Sequence, residues 1–274
     1  MEKHEIEVDD GTRLHFGLLG PKTGVPLLLC HGLGAGGAQF ESDMEWFAAR
    51  DFRVLVPDLR GHGRSGLPAR VEAGSFATSR LRADIYSMID HIGMTRVHWI
   101  GNSLGGILGL GASVEAPERL ASLSIFGTAL ALDVPARGWM LALMDRVPGR
   151  RIAARMTAIS TTHNRAARPL IEAMLNQYDV RGAGAIVDDI RRYDLTEAAR
   201  AWTGPGLILT GGKDRAVNRA LLPQLVRLND LPNWRIAHLA DGGHCANLDA
   251  REDWRREILS FVTKAAGPGP GAAG

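Results

Sequence analysis

Two cysteines in 274 residues, Cys30 and Cys245, are too few for a disulfide framework and lack the spacing of a zinc site. Free thiols and a cytoplasmic setting are therefore expected. No apolar run is long enough to span a bilayer. The opening stretch MEKHEIEVDDG is charged and has no apolar core, so no signal peptide is expected. An excess of one charge is missing too. Thirty-two lysines and arginines face thirty acids, a formal net charge of +2, which gives no global electrostatic reason for a nucleic-acid or membrane partner. Arginine is dense between residues 129 and 200, but acids are interspersed, as on solvated helix faces. No internal repeat is present.

What remains is ordinary for a globular chain, with 45% hydrophobic and 23% charged residues and enough length to bury a sizeable core. The stretches HEIEV and RLHFGLL, separated by DDGT, read as a hairpin. PLLLC, RVLVPD, RVHWIGN, LASLSIFGT and GLILTGG are near-continuous apolar runs, the pattern of parallel strands covered on both faces. WRIAHLAD reads as the last strand. Helical patterns fall near 38–50, at 79–92 with Ser79 as N-cap, after Ser103, at 216–229 and at 248–264. Strands alternating with helices predict a doubly wound sheet. Residues 129–200 interrupt the alternation with short helices rich in Ala, Arg and Met. The final eight residues, GPGPGAAG, read as a disordered tail.

Ser103 lies in Gly101-Asn102-Ser103-Leu104-Gly105, a G-x-S-x-G motif between a predicted strand and a predicted helix. Serine is also a favoured helix N-cap, so the motif alone leaves two readings. A nucleophilic serine needs a histidine base oriented by a carboxylate. His4, His15, His91, His98 and His238 fall within predicted strands or helices, or beside the chain start, and read as surface or packing residues. His163 lies in the helical stretch. His244, in DGGHCANLD, follows the last strand, and Asp214 follows GLILTGGK. Catalytic groups gather at such strand ends. Asp58 ends a strand as well but precedes Ser103, and Asp133 lies in the helical stretch. Acyl transfer builds charge on a carbonyl oxygen and needs fixed N–H donors. The backbone N–H groups of Leu33, in HGLGAGG, and of Leu104 are the natural pair. Residues 32–37 also spell G-x-G-x-x-G, with Asp58 ending the next strand, so a dinucleotide loop is an alternative. TGGKD fails as a P-loop, because Leu207 stands where the first glycine belongs and Asp214 replaces Ser or Thr.

HGLG (31–34), DLRGHGRSG (58–66), GNSLGG (101–106), GGKD (211–214) and GGH (242–244) together resemble the α/β-hydrolase superfamily over roughly residues 5–264. The resemblance implies the α/β class, with a mostly parallel eight-stranded sheet flanked by helices. It implies a core of residues 1–128 and 201–266, a helical cap at 129–200, a cleft between the two, no cofactor and no metal. It also implies that His31 is structural. Within the superfamily, GNSLGG with HGLGAGG looks like the carbon–carbon bond hydrolases. Those usually carry proline where Ala35 stands and tryptophan where Cys245 stands. EAPERLASL and HCANLDA look like enol-lactonases and small esterases.

The expectation is a cofactor-free serine hydrolase with Ser103 as nucleophile, His244 as base, Asp214 as orienting acid, and Leu33 and Leu104 as oxyanion donors. Its substrate is a small to medium ester or lactone. One alternative is carbon–carbon cleavage of a diketo acid, with Arg150, Arg151, Arg191 or Arg192 binding its carboxylate. A hydrolase-like ligand sensor with little turnover is another.

Overall fold

The computed structural model describes residues 2–72 and 74–266. The expected tail, 267–274, lies outside the described residues. Alternating side chains open the fold. β1 (Glu2–Glu7) and β2 (Arg13–Leu19) pair antiparallel, from Glu2 opposite Leu18 to Glu7 opposite Arg13. The turn between them holds Gly11 at φ +76°, a left-handed conformation that glycine adopts freely. β3 (Val25–Cys30), β4 (Phe52–Pro57), β5 (Val97–Asn102) and β6 (Leu120–Phe126) are the apolar runs. α1 (Glu41–Ala48), α2 (Thr78–His91) and α3 (Leu104–Glu115) connect them. After β6 come β7 (Ala131–Asp133), α4 (Gly138–Met144), α5 (Arg150–Thr161), α6 (Arg168–Leu175), α7 (Val180–Ile190), β8 (Arg192–Asp194) and α8 (Thr196–Ala201). β9 (Gly206–Gly211), α9 (Arg215–Leu225), β10 (Trp234–Leu239), α10 (Ala246–Asp249) and α11 (Arg251–Ala266) complete the chain.

Eight strands form one sheet in the order β1-β2-β4-β3-β5-β6-β9-β10, parallel from β4 to β10. This is the mostly parallel α/β sheet that the sequence predicts. Period-two burial fills both faces. Leu28 and Cys30 of β3 join Leu81, Ile85 and Met88 of α2 and Leu104 and Leu108 of α3 on one side. Leu27 and Leu29 join Phe40, Met44 and Phe47, with Trp254 and Ile258 of α11, on the other. The carboxyl ends of β3, β5, β6 and β9 run directly into the loops that carry His31, Ser103, Gly127 and Asp214.

Two local expectations change. α2 begins at Thr78, with Ala77 at the cap position, so Ser79 lies inside the helix. Asp189 accepts the Thr78 N–H at 2.8 Å, and this tertiary acceptor replaces a local cap. The closing helix is two pieces, α10 and α11, interrupted at Ala250. A feature without a sequence signal is the antiparallel ribbon of β7 and β8, which ties together the two ends of the helical stretch.

Candidate active site

Ser103 sits between β5 and α3 at φ +51°, ψ −112°. A non-glycine residue there is strained, and surrounding structure must hold it. Its N–H donates to the Phe126 carbonyl at 2.9 Å. Its own carbonyl accepts from the N–H groups of Gly106 (2.9 Å) and Ile107 (3.1 Å) and from the Thr128 hydroxyl (3.1 Å). The flanking glycines are sterically required. A Cβ on Gly101 would stand 2.2 Å from the Gly105 carbonyl oxygen, and one on Gly105 2.2 Å from that of Cys30. Ser103 holds the N-cap position of α3, yet its side chain makes no capping hydrogen bond. Ser103 lines a cavity of about 230 Å³ together with His244 and Leu33.

His244 and Asp214 meet across thirty residues of chain. His244 Nδ1 lies 3.0 Å from Asp214 Oδ2, the imidazole half-buried and the carboxylate buried. Asp214 also caps α9, since Oδ1 accepts the Val217 N–H at 3.3 Å. One oxygen therefore serves the helix and the other the imidazole. With Nδ1–H donating to the carboxylate, Nε2 is left as the basic nitrogen. No Ser103–His244 hydrogen bond is formed among the described residues, although both groups border the one cavity.

The N–H groups of Leu33 and Leu104 donate to no acceptor among the described residues. The glycine-rich loop approaches the serine closely, for a Cβ on Gly32 would lie 3.2 Å from that of Ser103. Asp58 is spent on this loop: its carboxylate accepts the N–H groups of Gly37 (2.7 Å) and Arg64 (3.0 Å). It is thus a loop brace rather than a ribose ligand. His31 is buried, with Nδ1–H donating to the Gly32 carbonyl at 2.8 Å and Nε2 accepting the Leu59 N–H at 3.0 Å. Burial pulls its pKa down to about 4, opposed by the Gly32 bond. Both nitrogens being occupied, His31 is not free to act as a base.

Asn102 and Asp249 carried no signal in the sequence. The Asn102 side chain donates to the His244 carbonyl at 2.9 Å and accepts from Gln39 Nε2 at 2.9 Å. Gln39 reaches Asn247, which in turn reaches Asp43, and Asp43 pairs with Arg255 at 2.7 Å. A buried polar chain thus holds the backbone of the histidine loop. Asp249 ties the same loop to the helical stretch. It accepts the Gly243 N–H at 3.0 Å, the His163 and Asn164 N–H groups at 3.0 Å, and the Thr162 hydroxyl. Polar partners this distant leave no local pattern, so only the folded chain reveals them.

A second cavity of about 130 Å³ adjoins the first, the two sharing Leu33, Gly34, Thr157 and Leu175. Of the four arginines expected to bind a carboxylate, Arg150 alone lines either cavity. Its Nε donates to Asp145 Oδ2 at 2.7 Å, its Nη2 to the same oxygen, and its Nη1 to the Tyr178 carbonyl at 3.1 Å. Exposed Arg192 pairs with Asp133 at 3.0 Å. Cys30 and Cys245 are buried free thiols whose pKa values burial pushes up. Among the described residues no group of three or more His, Cys, Asp or Glu could hold a metal ion. No helix there is long and apolar enough to cross a membrane.

The chain is similar to known proteins over nearly its whole length. A Variovorax paradoxus protein named for carbamate hydrolysis, RutD, is 28% identical over 274 residues, covering 93% of this chain and 98% of its own length. The 2-hydroxy-6-oxononadienedioate/2-hydroxy-6-oxononatrienedioate hydrolase of Burkholderia vietnamiensis is 26% identical, covering 96% of each chain. The solved enol-lactonase of Burkholderia xenovorans LB400 superposes with a TM-score of 0.81 at 22% identity, over 95% of this chain and all of that one. A family model described as alpha/beta hydrolase fold matches residues 25–250. The chain is a hydrolase and belongs to the alpha/beta hydrolase fold family.

Proposed function

We propose that the protein is a cofactor-free serine hydrolase acting on small to medium carboxylic esters or lactones. One observation carries the reading: a strained serine whose hydroxyl caps nothing shares a cavity with an imidazole bonded to a buried carboxylate. Ser103 Oγ attacks the carbonyl carbon while its proton passes to His244 Nε2. The carbonyl oxygen gains the negative charge and accepts hydrogen bonds from the Leu33 and Leu104 N–H groups. Each such donor contributes about 3 kcal/mol to the transition state. Collapse expels the alkoxide, which takes the proton from His244, and leaves an acyl group on Ser103. Water then loses a proton to His244 and attacks the acyl carbon, releasing the acid and restoring the serine. Asp214 fixes the imidazole tautomer and stabilises its charged form. Residues 129–200 act as the cap, roofing the cavity with Thr157, Ile171 and Met174.

Although the Burkholderia vietnamiensis relative is named as a hydrolase of hydroxy-oxo dioates, carbon–carbon cleavage of a diketo acid is the weaker reading. It requires a cation for the substrate carboxylate, and Arg150 is already engaged by Asp145 and Tyr178. The test is initial rates on aryl acetates and butyrates against a vinylogous diketo acid, with Ser103→Ala as control. Turnover of the esters that disappears in the variant supports the proposal. Faster turnover of the diketo acid overturns the ester assignment. Tight saturable binding without turnover of either would make the chain a ligand sensor.

A further inference from the structure

Eight of the thirteen large hydrophobic side chains exposed among the described residues lie between positions 139 and 159. Trp139, Met140, Leu143 and Met144 recur at helical spacing along α4. Ile152, Met156 and Ile159 do so along α5, and Val147 stands in the turn between the helices. The opposite face of α5 is buried through Ala153, Ala154 and Ala158. α5 therefore carries an outward apolar stripe over a buried alanine face, while α4 buries only Gly138 and is exposed along most of its length. A concentration of exposed large apolar side chains of this kind marks an interaction site.

The exposed charges on the segment itself have one sign. Arg137, Arg146, Arg151 and Arg155 are exposed along the same segment. Its only acid, Asp145, is half-buried and bonded to Arg150. On the elements packed against it, Asp188 of α7 accepts the Gly138 N–H, Asp189 is taken by Thr78, and α6 brings Arg168 and Glu172. From 134 to 181 there are eight arginines and three acids, an excess of five positive charges in a chain whose total is +2. The whole-chain balance conceals this, because the remaining residues carry a net −3.

We propose that the α4–α5 face is a peripheral membrane-docking surface that seats on anionic phospholipid. Its apolar side chains enter the boundary between headgroups and acyl chains, and its arginines meet the lipid phosphates. A second copy of the chain is the poorer occupant, since a two-fold contact would bring the same four arginines against themselves. Met144 is both exposed and part of the wall of the second cavity, so the docked face adjoins that cavity. Docking needs no turnover and stands or falls apart from the hydrolase reading.

Trp139 supplies the readout. It is 64% exposed, whereas Trp99, Trp202, Trp234 and Trp254 are buried and Trp46 is half-buried. The full chain is mixed with vesicles of phosphatidylcholine alone and of an equal mixture of phosphatidylcholine and phosphatidylglycerol. Flotation and tryptophan emission are recorded. Flotation with the anionic vesicles, a blue shift, and weakening by salt are expected. Arg151→Gln and Arg155→Gln should each weaken binding about fivefold. Trp139→Phe should keep binding and lose the shift. All three side chains are exposed, so unchanged circular dichroism verifies folding. Absence of flotation with the anionic vesicles overturns the proposal. So does a blue shift produced by protein concentration alone, with a dimer mass in light scattering.

Discussion

Ser103 keeps a strained backbone because four hydrogen bonds fix its peptide groups and two glycines clear the space around it. Gly105→Ala drives a methyl group into the Cys30 carbonyl and should cost about 1–3 kcal/mol or more, read as a lower denaturant midpoint. Asp214→Asn should keep the α9 cap but favour the wrong imidazole tautomer. A loss of about 10⁴-fold in kcat with little change in melting temperature is expected. Equal kcat in that variant would contradict the assigned role. Asn102→Ala strips a partner from both Gln39 and the His244 carbonyl, so a stability loss of about 1–3 kcal/mol should accompany reduced kcat. The placement of Ser103, Asp214 and His244 beyond strand ends was legible in the sequence because each follows a strand in a short recognisable motif. Asn102 sat in plain view inside that motif, but its partners lie 63 and 142 positions away and left no local trace.

At the scale of elements, five apolar runs, a hairpin pattern and WRIAHLAD announced the eight strands of the large sheet, but not their order or register. Those depend on pairings between distant segments, such as β3 between β4 and β5. The β7–β8 ribbon escaped because three-residue strands are too short for any periodicity. Ser79 misled for a related reason: Asp189, over a hundred residues on, satisfies the first turn of α2. The boundary between the two cavities is also an element-scale property, and Leu175 at the end of α6 lines both sides of it. A Cβ on Gly34 would lie 2.9 Å from its side chain. If the second cavity holds an apolar acyl or alcohol chain, Leu175→Trp should block it. The ratio of kcat/KM for hexanoate over acetate aryl esters should then fall about tenfold, with acetate turnover retained. An unchanged ratio would remove that cavity from the substrate path.

The whole molecule responds to acid through histidines it buries uncharged. Burial pulls His31 and His62 down to about 4, and for His62 the neighbouring His31 adds to the effect. Both are neutral when folded, whereas an unfolded histidine titrates near 6.5. Between those values the unfolded chain binds more protons, so stability must fall as pH drops from about 6.5 towards 4. The slope is up to about 1.4 kcal/mol per pH unit for each histidine. Asp43 and Asp84, whose carboxyls burial raises, pull in the opposite direction. Comparison with His62→Asn isolates the histidine: its melting temperature should decline less than that of the parent between pH 7 and pH 5. Parallel declines would contradict the assignment.

The most direct test of the central claim is the intact mass of the whole protein after exposure to an aryl fluorophosphonate, followed by peptide mapping. A single adduct on the peptide bearing Ser103, absent from Ser103→Ala, is the predicted result. An adduct elsewhere, or undiminished ester turnover in Ser103→Ala, would contradict it.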